Sequence, residues 1–159
     1  MAVDQDLVTL QEALQHVAIA AEHLPWAGER AWTPRTHLGA TRGLPVIDLH
    51  DLSVRLALDT LESAIELDLS TGGLVLITGR GNHTGGRSKL RDAVMHALRE
   101  RAESGQLVFH PLGPGRVEVV LDSERRSRAR PGMGLLFWLF VALIALAIAS
   151  SLYPMLQKP

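Results

Sequence analysis

An uncharged apolar run near the C-terminus constrains this chain more than any other feature of its sequence. Residues 135–153 contain no Asp, Glu, Lys or Arg. A helix of that length reaches about 28 Å, which matches the hydrocarbon thickness of a bilayer. Core helices usually keep a polar stripe, and none is present over residues 135–149. The sequence therefore predicts one transmembrane helix at 135–153, with a tail at 154–159.

The charges that flank this run predict its orientation. A basic juxtamembrane linker over residues 123–134 carries Arg125, Arg126, Arg128 and Arg130, whereas only Lys158 follows the run. Positive residues favour the cytoplasmic side, so we expect a single-pass membrane protein with a cytoplasmic N-terminal domain. The chain has no cysteine, which suits a reducing compartment. Its formal net charge of -1 means that any nucleic-acid contact must rest on local patches.

The N-terminal residues show a helical pattern. Residues 1–24 are predicted to form an amphipathic helix whose apolar positions are Val3, Leu7, Leu10, Leu14, Val17, Ala18 and Ala21. This stripe predicts packing either on the domain or on a protein partner. Residues 25–43 are rich in Pro, Gly and Trp, which predicts a linker whose tryptophans pin the chain to a neighbouring surface.

The pattern of residues 44–122 is typical of an α/β domain. Short apolar runs predict strands at 46–49, 74–78, 107–110 and 116–121. Amphipathic runs predict helices at 54–69, where Ser53 is the expected N-cap, and at 87–103. The order is β-α-β-α-β-β. Right-handed crossovers place both helices on one face of the sheet, which predicts a two-layer α/β sandwich.

Polar groups suited to phosphate binding collect where the first two strands of this domain end. Asp48 and His50 are two residues apart, so their side chains share one face. The loop after the second strand carries the other candidate binding residues, Thr78, Gly79, Arg80, Gly81, His83, Arg87 and Lys89. Glycines and a helix N-terminus let backbone N–H groups approach an anion. The loop departs from a nucleotide-binding P-loop, because Arg87 stands where the phosphate-reaching lysine belongs.

Three segments together resemble the Smr domain, the small MutS-related domain. They are Val-Ile-Asp-Leu-His-Asp (46–51), Ile-Thr-Gly-Arg-Gly-Asn-His-Thr (77–84) and Pro-Leu-Gly-Pro-Gly-Arg-Val-Glu-Val (111–119). The resemblance covers residues 44–122 and implies a fold akin to the C-terminal domain of a bacterial translation initiation factor. It also implies nucleic-acid binding and, in some members, endonuclease activity on DNA or RNA. Two positions depart from the family: Asp51 replaces a usual glycine, and Thr78 replaces a common histidine.

The resemblance assigns possible catalytic roles to two residues. In a cleavage reaction we expect His50 to act as general acid or base and Asp48 to orient it or hold a divalent ion such as Mg or Mn. Asp48 and the loop alone make an incomplete ion site, so the sequence predicts no metal-ligand set.

Two functions remain compatible with the sequence. One is a membrane-tethered protein that binds RNA or DNA, with endonuclease activity as an option. The other is a non-catalytic scaffold that binds a protein partner at the cytoplasmic face. Acidic residues outnumber basic ones in residues 44–122, which favours the scaffold. The basic residues around one loop, Arg80, Arg87, Lys89 and Arg91, favour nucleic acid.

Overall fold

The structure is a computed structural model that describes residues 2–25, 31–79 and 88–121. The chain divides into two units, residues 1–126 and 127–159, and all described residues belong to the first. The predicted transmembrane helix at 135–153, its basic linker and its tail therefore lie outside the described residues. Among the helices that are described, none has the length and apolar character needed to cross a bilayer.

The described part contains five helices and five strands. The helices are α1 (Ala2–Ala13), α2 (Gln15–Ala21), α3 (Pro34–His37), α4 (Val54–Glu66) and α5 (Lys89–Glu103). The strands are β1 (Leu38–Thr41), β2 (Leu44–Asp48), β3 (Gly73–Ile77), β4 (Leu107–Gly113) and β5 (Arg116–Leu121). From β2 onward, the predicted order β-α-β-α-β-β is confirmed. Ser53 caps α4 as predicted, because its side chain accepts a hydrogen bond of 3.2 Å from the Leu56 N–H.

The strands form one mixed sheet in the order β1-β2-β3-β5-β4. β2 and β3 run parallel, with Asp48 opposite Ile77, whereas the other neighbouring pairs are antiparallel. β5 returns from β4 as a hairpin and pairs with β3, so it fills the position between the two strands that α5 connects. The sequence predicts the hairpin but not this strand order.

One face of the sheet packs against the helices. Alternate strand residues point into this core, namely Ile47, Leu74, Leu76, Val117, Val119 and Leu121. They meet buried residues of the two long helices, namely Ala57, Leu61 and Ala64 of α4 and Val94 and Leu98 of α5. The period of two along strands and of about 3.6 along helices produces this single interface. The predicted mixed α/β fold with helices on one layer is therefore confirmed for the described residues.

The N-terminal helical segment is part of the same core. Its stripe is buried at Leu10, Leu14, Val17 and Ala21, and the predicted single helix is interrupted at Leu14, between α1 and α2. Asp6 adds a polar anchor, because its carboxylate accepts hydrogen bonds from the Ser70 N–H at 2.8 Å and the Thr71 N–H at 2.9 Å. The stripe thus packs on the domain.

A short strand lies in the segment that the sequence predicts to be a linker. Residues 38–41, within the predicted 25–43 linker, form β1 and pair with β2 from Thr41 opposite Leu44 to Leu38 opposite Ile47. The linker prediction needs correction over these residues. The sequence Leu-Gly-Ala-Thr of β1 does not alternate between apolar and polar residues, so it does not predict a strand. The strand forms because a hairpin pairs it with β2. Arg42 and Gly43, with φ of 52° and 78°, make the two-residue turn of this hairpin.

Candidate functional site

The two halves of the predicted site meet at the carboxyl ends of β2 and β3. The Leu49 N–H donates to the Ile77 carbonyl at 2.8 Å, which extends the parallel pairing one residue beyond Asp48. Gly79 follows with a φ of +73°, and a Cβ placed on it would stand 3.4 Å from the Cβ of His50. The turn after β3 therefore lies directly against His50. This edge of an open α/β sheet is where such folds bind ligands.

Asp48 holds His50 in a defined orientation. Asp48 Oδ1 lies 2.7 Å from His50 Nδ1 and also accepts the His50 backbone N–H at 3.1 Å. An ionised carboxylate only accepts hydrogen bonds, so Nδ1 carries a proton in this contact. The imidazole remains half exposed, with 48% of its side-chain surface accessible. The arrangement is that of a carboxylate-oriented imidazole, which is the form that general acid–base chemistry uses.

Three further residues complete the surroundings of His50, and the sequence analysis did not assign them to the site. Asp51 Oδ2 lies 3.0 Å from His50 Nε2 and 3.2 Å from His37 Nε2. Trp32 stacks on the His37 ring with centroids 5.5 Å apart. The Trp32 Nε1–H donates to the Asp48 carbonyl at 2.6 Å, which fixes the segment before β1 to the end of β2. This contact is the pinning that the tryptophans predict.

Sequence alone gave partial signals for these residues. Asp51 stood out only as a departure from the glycine of the resembled family, and His37 lay in a predicted linker. A histidine close in sequence to Trp32 was the available signal. The proximity of His37 to His50 depends on the path of the chain through β1, which the sequence does not predict. His37, His50 and Asp51 also form a group whose possible metal-ligating atoms all lie within 4.8 Å of one another.

The predicted phosphate-binding residues do not all lie together. Arg80, Gly81, His83 and Arg87 lie outside the described residues. Thr78 is buried, and its N–H donates to the Gly115 carbonyl at 2.8 Å, so this residue joins β3 to the β4–β5 turn. Lys89 is exposed in the first turn of α5, where Ser88 accepts the Arg91 N–H at 3.2 Å as N-cap. Of these residues, the structure brings Gly79 to His50.

Arg116 is a further cation at this edge. It begins β5 opposite Ile77 and lines a groove of about 410 Å³ together with Gly79 and the turn residues Gly113, Pro114 and Gly115. The same arginine borders a second groove of about 560 Å³ on the open face of the sheet, whose lining includes Arg42 and Glu118. Within the described ranges, Arg116 makes no ion pair. Arg116 is therefore available to an anionic ligand that lies in either groove.

Fold and site together define a mixed α/β domain with an aspartate-oriented histidine at the carboxyl edge of two parallel strands. A search of solved structures finds the Smr domain of NEDD4-binding protein 2, which is 33% identical over 54% of this chain and 93% of that chain, with a TM-score of 0.41. It also finds the B3BP Smr domain, 23% identical over 76% of this chain and 99% of that chain, with a TM-score of 0.41. Both are Smr domains, the family that the sequence motifs resemble. No protein-family model and no curated protein matches the chain.

Proposed function

We propose that this chain is an Smr-type protein that binds nucleic acid at the carboxyl edge of β2 and β3 and is tethered to a membrane by residues 135–153. The observation that carries the binding proposal is the contact between the Asp48–His50 pair and the Gly79 turn. A half-exposed imidazole and a turn with a positive φ at Gly79 lie side by side at this edge. A glycine turn lets a phosphate group come close to the backbone.

Cations of the described residues support this location. Lys89 and Arg116 are exposed, and Arg116 borders the groove that Gly79 lines. Phosphate contacts supply most of the sequence-independent affinity of nucleic-acid binders, and they need only a local patch of positive charge. The overall charge of -1 is therefore compatible with binding.

The Asp48–His50 pair also supports phosphodiester cleavage as a second activity of the same site. An imidazole oriented by a carboxylate can transfer a proton to or from an attacking or leaving oxygen. However, Asp51 faces the other imidazole nitrogen at 3.0 Å and adds negative charge where phosphate would approach. We therefore place binding ahead of cleavage in the proposal.

Charge reversal at the site tests nucleic-acid binding. The full chain is purified in detergent, and its affinity for labelled single-stranded RNA, single-stranded DNA and duplexes is measured by fluorescence anisotropy. The Lys89→Glu, Arg116→Glu double variant is expected to bind about tenfold more weakly or worse, because two phosphate contacts become repulsive. Arg99→Glu is the matched control, since Arg99 is exposed near the C-terminal end of α5, about three helical turns from Lys89. Equal affinity of the double variant and the wild type would refute the binding site.

Cleavage is tested in the same preparation with Mg or Mn added. We expect His50→Ala to abolish cleavage and to retain most of the binding. His96→Ala is the control, because His96 is an exposed histidine that faces Glu100 at 3.6 Å on α5. Cleavage by His50→Ala at the parental rate would remove the catalytic role of His50 and leave the binding proposal standing.

Two sequence observations support the membrane tether. Residues 135–153 form an uninterrupted uncharged run, and arginines cluster on its N-terminal side. Both features favour a single span with the preceding domain on the cytoplasmic side.

A further inference from the structure

We propose that His37, His50 and Asp51 bind one divalent transition-metal ion of the zinc type. The ligand atoms are Nε2 of each histidine and Oδ2 of the aspartate. Two of the three residues, His37 and Asp51, lie outside the catalytic and phosphate-binding sets derived from the sequence. The proposal rests on the geometry of these three side chains and does not require nucleic-acid binding. An ion on Nε2 would occupy the one His50 nitrogen that Asp48 does not contact, so metal binding and the proton-transfer role of His50 exclude each other.

The spacing of the three atoms fits a metal ion. Asp51 Oδ2 lies 3.2 Å from His37 Nε2 and 3.0 Å from His50 Nε2, and all three atoms fall within 4.8 Å of one another. Zinc binds histidine nitrogen and carboxylate oxygen at about 2.0–2.2 Å, which places neighbouring ligands of a tetrahedron about 3.3 Å apart. Small side-chain adjustments therefore bring all three atoms onto one ion.

The His50 ring stands between two carboxylates. Its Nδ1 lies 2.7 Å from Asp48 Oδ1 and its Nε2 lies 3.0 Å from Asp51 Oδ2. The second of these contacts is shared with His37, whose Nε2 lies 3.2 Å from the same Asp51 oxygen. A divalent ion placed among these three atoms would be bound by two imidazoles and one carboxylate.

The groups behind the histidines resemble the outer shell of metal sites. A carboxylate that accepts the second N–H of a ligating histidine fixes its ring and increases its basicity, and Asp48 occupies that position for His50. His37 is held by the stacked Trp32 ring and by Thr36 Oγ1, which lies 2.8 Å from Nδ1. Both rings are therefore oriented before an ion arrives.

Ligand chemistry and exposure decide the type of ion. Two imidazoles and one carboxylate suit zinc and its first-row neighbours, whereas magnesium prefers a shell of oxygen ligands and water. The side chains of His37, Asp51 and His50 are 10%, 35% and 48% exposed, so the cluster is covered on one side and open to solvent on the other. Three protein ligands with one open position are typical of zinc sites that bind an exchangeable fourth ligand.

Metal binding is tested on the untagged full chain in detergent, without nucleic acid. After removal of metals with a chelator, Zn²⁺ is titrated by calorimetry, and Co²⁺ is added separately to read the visible absorption bands of tetrahedral coordination. We expect one ion per chain. His50→Ala and Asp51→Asn are each expected to weaken zinc binding about tenfold or more, and Asp48→Asn to weaken it through loss of ring orientation.

The controls separate a built site from surface binding. His96→Ala removes an exposed histidine next to a carboxylate and is expected to leave zinc binding unchanged. Circular dichroism checks the fold of each variant. His50→Ala removes a half-exposed side chain, so this variant is expected to keep the fold, and its zinc affinity then reports on the site. Any of three results would overturn the proposal. They are the absence of stoichiometric zinc binding, wild-type zinc affinity in both His50→Ala and Asp51→Asn, and displacement of zinc by millimolar Mg²⁺.

Discussion

At the residue scale, the site depends on one backbone position. Gly79 has a φ of +73°, and a Cβ added there would stand 3.4 Å from the Cβ of His50, so a side chain meets backbone strain and lies against His50. We expect Gly79→Ala to lower the free energy of unfolding by about 1 kcal/mol or more and to displace His50. Chemical denaturation and the anisotropy assay measure the two effects.

Gly39→Ala is the control for this substitution, because Gly39 has no atom within 4 Å of an added Cβ. Its stability is expected to stay close to that of the wild type. If both glycine variants lost the same free energy of unfolding, the special role of Gly79 would be contradicted.

Asp6 makes the stability of the fold depend on pH. Burial alone would raise its pKa, but hydrogen bonds from Thr71 and Ser70 hold the pKa below the ordinary 3.8. Since the folded-state pKa is the lower one, the stabilisation is present above the unfolded pKa and disappears as pH falls through the folded pKa. At neutral pH, Asp6→Asn is expected to cost about 1–3 kcal/mol, because it loses the charge-assisted hydrogen bonds that the buried Asp6 carboxylate accepts from Ser70 and Thr71.

The difference in free energy of unfolding between the wild type and Asp6→Asn should become smaller when unfolding is measured below about pH 4, because Asp6 then becomes protonated. The control is Asp59→Asn on α4, which is expected to change stability by less than about 0.5 kcal/mol. An Asp6→Asn protein with wild-type stability at neutral pH would contradict the anchor.

At the element scale, the N-terminal helices belong to the fold and are not an appendage. Leu14 is fully buried between α1 and α2, whereas Val8 on α1 is 57% exposed. We expect Leu14→Ala to cost about 2–5 kcal/mol through lost burial and the resulting cavity. Val8→Ala is expected to change stability by less than about 0.5 kcal/mol. Equal losses in denaturation would indicate that the helices pack elsewhere.

The elements also show which parts of the structure the sequence can predict. Period-two and period-3.6 patterns give β2, α4, β3, α5 and the β4–β5 hairpin nearly to their ends, because burial on one face enforces those periods. β1 carries no such pattern and forms by pairing with β2, so it was missed. The two-residue spacing of Asp48 and His50 at the end of β2 predicts that their side chains meet. The contact between His37 and Asp51 could not be predicted, because it depends on how the chain folds back through β1.

At the scale of the whole molecule, we propose a nucleic-acid-binding domain on a membrane anchor. In fractionated cells, the full chain is expected to pellet with membranes and to resist carbonate extraction, whereas a chain that ends at residue 134 should lose this behaviour. Protease added to sealed vesicles then reports which side carries the domain. Carbonate-extractable full-length protein would contradict the anchor.

The salt dependence of binding tests the central claim most directly. For the full chain and a single-stranded RNA or DNA ligand, the logarithm of the association constant is plotted against the logarithm of salt concentration. We predict a negative linear slope, because each phosphate contact releases counterions. We also predict that Arg116→Gln reduces the magnitude of the slope by about 1, while Arg99→Gln near the C-terminal end of α5 leaves it unchanged. A salt-independent affinity, or equal slopes for the wild type and Arg116→Gln, would contradict a phosphate-binding edge at His50 and Gly79.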